Sequence, residues 1–113
     1  MTLHGASRSL DLLALLDSGA DHCLFHTEVA EVLGIDLSAC PQGTIEGIDG
    51  EPHASFVAEV DLSAQHLPSV RVPVMFWDKQ PVSLLGQTGF FDLHRIKFER
   101  DHDVFEITPI EKR

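Results

Sequence analysis

The sequence predicts an all-β domain, a small closed barrel with one or two short helices. Three observations predict it. The apolar runs are short and are broken every few residues by Gly, Pro, Asp or Ser, the punctuation of strands and turns. Residues 55–62 alternate, with Phe56, Ala58, Val60 and Leu62 on one face and Ser55, Val57, Glu59 and Asp61 on the other, the period of a half-buried strand. Gly47-Ile48-Asp49-Gly50 lies between two extended arms, which reads as a β-hairpin with Asp49-Gly50 at its turn.

The elements follow in order. Leu10 to Leu16 is nearly all apolar and reads as a buried strand, broken by the turn Asp17-Ser18-Gly19. Cys23 to Phe25 is a short extended piece. Thr27 to Leu33 is helical in pattern: Thr27 caps it, acids fill the first turn, and Gly34 ends it. Ile35 to Pro41 is irregular. After the hairpin, Val70 to Phe76 is a strand in which Pro73 signals an edge or a bulge. Val82 to Leu85 is a short buried strand ending at Gly86. Thr88 to Leu93 reads as one or two helical turns carrying Phe90 and Phe91 inward. Ile96 to Glu99 and Val104 to Ile107 form a last hairpin around Arg100-Asp101-His102-Asp103.

The chain of 113 residues fits one domain, 1–113, with its core over about 10–107. No repeat, low-complexity segment or linker divides it. Eight basic and 18 acidic residues give a formal net charge of −10. That argues against nucleic acid as a partner, which needs a basic face, and against anionic membrane surfaces. No apolar run is long enough to span a bilayer and the first ten residues lack the apolar stretch of a signal peptide, so the expected compartment is cytoplasmic. Two cysteines, Cys23 and Cys40, make no disulfide framework and read as free thiols.

A carboxylate at the end of an apolar strand is costly unless it is hydrogen-bonded, shares a proton, or is held there for chemistry. Asp17 is such a carboxylate. Asp17-Ser18-Gly19-Ala20 after an apolar strand, the glycine-punctuated hairpin about thirty residues on, and Leu84-Leu85-Gly86 followed by Gly89-Phe90-Phe91-Asp92 occur in that order. Together they resemble the retropepsin-like aspartic proteases, in particular the small bacterial members, over about Leu10 to Ile107. The resemblance implies a closed-barrel acid-protease domain with a flap hairpin, and aspartic endopeptidase chemistry in which a water is activated between two facing carboxylates. Like charges that close cannot both ionise, so one proton is shared. No cofactor and no metal is implied.

A second Asp-Ser/Thr-Gly is absent; Gln87-Thr88-Gly89 has glutamine where the acid would be. One chain therefore supplies half a site, and the resemblance implies a homodimer with Asp17 of each copy at the axis. It further implies that Ser18 orients the carboxylates and that Gly19 lets backbone approach the substrate. Ala20 and Asp21 would hydrogen-bond the substrate main chain. Gly47, Ile48, Asp49 and Gly50 would form the flap tip over a peptide or protein substrate, and Leu84, Leu85 and Gly86 would support the active-site loop. Three departures stand out. Viral members have an arginine at the position of Gln87, paired with the acid equivalent to Asp21. The segment before the active-site strand is short, so the C-terminal hairpin would carry more of the interface. Asp49 puts an acid at the flap tip, where two copies would repel.

Other residues have plainer readings. His22, Cys23 and His26 lack the helical placement that would gather them around a metal. Trp77, Phe90 and Phe91 read as core or rim, and the acidic stretches as solvated faces. The rival to the protease is a catalytically silent dimerisation or peptide-binding module on the same fold, since a fold does not fix an activity.

Overall fold

The computed structural model of the chain describes residues 1–5, 7–46, 50–64, 67–99 and 104–109. Its organising element is the strand whose alternation is plainest in the sequence. This strand, β6 (Pro52–Ser63), is long enough to serve partners at both ends of one edge. At one end it takes β5 (Gln42–Glu46), pairing Gln42 with Phe56 through Glu46 with Pro52. At the other it takes β1 (Thr2–His4), pairing Leu3 with Leu62. Its opposite edge holds β7 (Val70–Trp77) along its length. Val60 and Leu62 of β6 meet Val72, Val74 and Phe76 of β7 in the core with Leu3, Phe25, Leu33 and Phe90. Phe25 and Phe76 pack with ring centroids 6.1 Å apart.

The remaining strands are β2 (Ser9–Asp11), β3 (Leu15–Leu16), β4 (Leu24–His26) and β8 (Leu84–Leu85). The order across the sheet is β2-β1-β6-β7-β4-β8-β3, with β5 on β6. β2 and β3 are consecutive in the chain and lie at opposite ends of that path, so the sheet curls. The all-β class is as expected, and the barrel takes the form of one curled half-barrel sheet. β9 (His94–Glu99) and β10 (Val104–Pro109) make a separate two-stranded sheet, the expected last hairpin. No helix among the described residues is long and apolar enough to cross a membrane.

Several local expectations are corrected. Leu10 to Leu16 is two strands, β2 and β3, and its apolar residues are not all inward. Leu10, Leu12, Ala14 and Leu16 pack on the core, while Leu13 is 95% exposed and Leu15 59%. Alternation was hidden because the outward positions are also leucine. Helix α1 (Thr27–Val32) is capped by His26, whose Nδ1 accepts from the Glu28 N–H at 3.0 Å, and not by Thr27. Ile35 to Pro41 contains a 3-10 turn, Leu37–Ala39, capped by Asp36. Thr88 to Leu93 is a run of hydrogen-bonded turns in place of a helix: Phe91 and Asp92 donate back to Gly86 and Gln87, five residues away. It nonetheless carries Phe90 into the core, 1% exposed, with Phe91 half-buried beside it. Pro73 lies on the part of β7 that has β6 on one side, before β4 joins at Met75 on the other, which accommodates its missing N–H.

Candidate active site

The site begins with two short strands. β3 and β8 pair in parallel, Leu15 with Leu84 and Leu16 with Leu85. The ladder continues one step beyond β3: the Asp17 N–H donates to the Leu85 carbonyl at 3.0 Å. The chain then reverses. The Ala20 N–H donates to the Asp17 carbonyl at 3.1 Å, closing a tight turn. Inside that turn the Gly19 N–H donates to Asp17 Oδ1 at 2.9 Å. The carboxylate is thus fixed by its own loop, half-buried, with Ser18 and Gly19 exposed on either side.

A second strand-like segment braces the loop from behind. The N–H groups of Gln87 and Thr88 donate to the carbonyls of Ala20 and Asp21, both at 2.9 Å, and His22 bridges to Thr88. The approach is so close that a Cβ on Gly86 would lie 2.3 Å from the His22 carbonyl oxygen and 2.7 Å from that of Ala20. Only glycine fits there. Leu85 is buried beneath the loop and Leu84 faces the cleft, so Leu84-Leu85-Gly86 runs alongside the Asp17 strand.

Sequence reasoning missed the role of Gln87. Its Nε2 donates to the Ser18 carbonyl at 2.8 Å. The glutamine that replaces an arginine pins the middle of the Asp17 loop, while Asp21 stays exposed with no cation in ion-pair contact among the described residues. The change of chemistry, neutral amide for guanidinium, was visible in the sequence. The atom it would reach was not.

In front of the loop is a cleft of about 440 Å³, lined by Asp17, Gly19, Ala20, Asp21, His22 and Leu24 on one side, Thr44 and Ile45 of β5 on the other, and Leu84. A smaller hollow of about 290 Å³ shares His22 and Thr44 with it and is floored by Val57, Pro73 and Met75. Of the expected flap tip, Gly47, Ile48 and Asp49 lie outside the described residues; Gly50, just after them, has φ +75°. The hairpin's first arm does reach the cleft, through Thr44 and Ile45.

His22, Cys23 and His26 go to different tasks. His22 lines the cleft, His26 caps α1, and Cys23 is buried behind the loop with its thiol 3.6 Å from the Thr88 carbonyl. Burial pushes the Cys23 thiol up in pKa, opposed by a backbone hydrogen bond at Gly86 and reinforced by the charge of Asp92. Among the described residues no three His, Cys, Asp or Glu side chains converge as a metal site.

Comparison with known families places a model described as aspartyl protease over residues 3–88. The span contains the Asp17 loop, the β5–β6 hairpin and the bracing segment up to Thr88; the β9–β10 hairpin lies beyond it. Comparison with curated proteins and with solved structures gave no match.

Proposed function

The chain belongs to the aspartyl protease family, and from that premise we propose that it is an aspartic endopeptidase acting as a homodimer, each copy supplying Asp17. The observation that carries the reading is the state of that carboxylate. Oδ1 is held by the Gly19 N–H, the cleft opens in front of it, and the sequence has no second Asp-Ser/Thr-Gly. A single such loop is half of the chemistry, and a two-fold axis supplies the other half at no cost in sequence.

In the dimer the two carboxylates hold one proton between them. The ionised one removes a proton from a water lying between them, and the water oxygen attacks the scissile carbonyl carbon. The protonated one gives its proton to the carbonyl oxygen, so a neutral gem-diol forms. On collapse, the carboxylate that gained the water's proton passes it to the amide nitrogen, the C–N bond breaks, and a diol proton returns to the other carboxylate. Ser18 orients the pair. Gly19, Ala20 and Asp21 offer backbone and side-chain partners to an extended peptide, which adds to the cleft as a strand would. The hairpin around Ile48 serves as the lid that excludes water. Trp77 and the second cysteine have no part in this scheme.

Sedimentation of the chain comes first, followed by cleavage of an unstructured protein from acid to neutral pH. Cleavage by a dimer, abolished by pepstatin and by Asp17→Asn, is the expected result. A stable dimer that cuts nothing under any of these conditions points instead to the silent binding module.

A further inference from the structure

The cleft in front of Asp17 holds a second carboxylate that the reaction does not require. Asp17 and Asp21 both line it, and among the described residues no lysine or arginine does. In the proposed dimer Asp17 shares a proton with its copy, so its charge is committed to the reaction. Asp21 is exposed, and among the described residues no cation pairs with it. The side chain nearest at hand is that of Gln87, whose backbone N–H bonds to the adjoining Ala20 carbonyl. Its amide is neutral and is engaged by the Ser18 carbonyl at 2.8 Å.

Cations are scarce throughout this part of the chain. Residues 1–94 carry three basic side chains, Arg8, Arg71 and Lys79, against 13 acidic ones. Arg71 pairs with Glu59 and Asp61 at 3.2 and 3.5 Å, and Lys79 lines a separate hollow beside Trp77. The segment that carries Asp21 is nonetheless firmly held. The Asp21 carbonyl accepts the Thr88 N–H at 2.9 Å, and His22 beside it bridges to Thr88. A charge on a braced segment loses little freedom when it takes a partner. Leu24, Ile45 and Leu84 supply apolar wall in the same cleft, so Asp21 is a point charge set in a groove that otherwise receives apolar groups.

We propose that Asp21 selects the substrate: its carboxylate takes the ammonium or guanidinium group of a lysine or arginine in the bound peptide, so the cleft prefers extended basic peptides. The inference rests on the homodimeric protease reading above and names the substrate class of that site. Two-fold symmetry puts one Asp21 on each side of the scissile bond, so basic residues are favoured on both sides of the cut. A water-exposed ion pair is worth up to about fivefold in affinity, and a lid that excludes water strengthens it.

The test uses the full chain and unstructured peptides with lysine, norleucine or glutamate at matched positions. They are titrated into Asp17→Asn, which binds without cutting, and are given to the wild type as substrates. Lysine peptides are expected to bind and to be cut about tenfold better than their norleucine counterparts, with glutamate peptides the poorest. Adding Asp21→Asn should abolish that ratio in Kd and in kcat/KM, and Asp21→Glu, which keeps the charge, should retain most of it. Glu31→Gln, at an exposed acid of α1 outside the cleft, removes the same unit of charge and should leave the ratio unchanged. A ratio near one, a ratio that survives Asp21→Asn, or one that falls equally with Glu31→Gln overturns the selection and leaves the protease standing. An Asp21-dependent ratio in binding, with no peptide cut by the wild type, upholds the selection and overturns the protease. Peptides neither bound nor cut overturn both.

Discussion

Asp17 is positioned by backbone, and that makes its neighbours testable one at a time. A Cβ added at Gly19 would meet Asp17 Oδ1 at 3.2 Å, tighter than comfortable contact, so the carboxylate must turn. Gly19→Ala is expected to lower cleavage at least tenfold while changing unfolding free energy by no more than about 1 kcal/mol, read from peptide hydrolysis beside urea denaturation. Gln87→Leu removes the donor to the Ser18 carbonyl and should cost about 1 kcal/mol in stability, with a larger loss in turnover because the loop is freed. The two thiols should also separate. Cys23 is fully buried and its thiol is pushed up in pKa, whereas Cys40 is half-buried. Only the thiolate reacts, so native protein at neutral pH should take up iodoacetamide at Cys40 alone, and unfolded protein at both, as peptide mapping would reveal.

At the scale of elements, two short pieces matter beyond their length. β8 runs into Gly86, where the bracing segment crosses the Asp17 loop with no room for a side chain. Gly86→Ala should destabilise the fold by about 3 kcal/mol or more, since the atoms it meets are backbone and cannot swing aside; denaturant titration would measure it. Helix α1 has the length of a turn and a half and depends on its cap. His26→Ala should cost about 1 kcal/mol and His26→Asn much less, because asparagine also offers an acceptor to the first turn. Elements were legible where a period was clean. β6 follows from alternation, the first hairpin from its Gly-punctuated segment, and β7 and the last hairpin from short apolar runs bounded by polar residues. Leu10 to Leu16 misled because leucines at outward positions erased the alternation. Thr88 to Leu93 misled because Phe90 and Phe91 resemble a helical face, while backbone bonds that reach back five residues to Gly86 and Gln87 close turns in place of a helix.

Across the whole molecule, acidity and burial set the response to solution conditions. Cys23 remains protonated in the native state to higher pH than in the unfolded chain. Above the ordinary thiol value of about 8.5 the unfolded state binds fewer protons than the native state, so stability falls as pH rises. Stability from this group is complete below that value and is lost through the alkaline range. Melting curves from neutral to alkaline pH should show the decline, and Cys23→Ala should start lower and fall less steeply. The charge of −10 acts separately. It favours solubility and opposes close approach of two copies, so the proposed homodimer is expected to tighten as salt screens that repulsion, as sedimentation at low and high salt would measure.

By itself the sequence determined the all-β class and the family, and it supplied the proposal that Asp17 of two copies carries the chemistry, because these rest on local period and on a short motif whose residue types the proposed reaction requires. Tertiary structure decided what Gln87 holds, why Gly86 cannot be anything else, which leucines face water, and that β1 is enclosed by its own sheet while the last hairpin forms a second sheet packed on the core through Ile107. Each of these depends on atoms distant in the chain meeting within a few ångström, and a distance of that kind has no trace in spacing or composition.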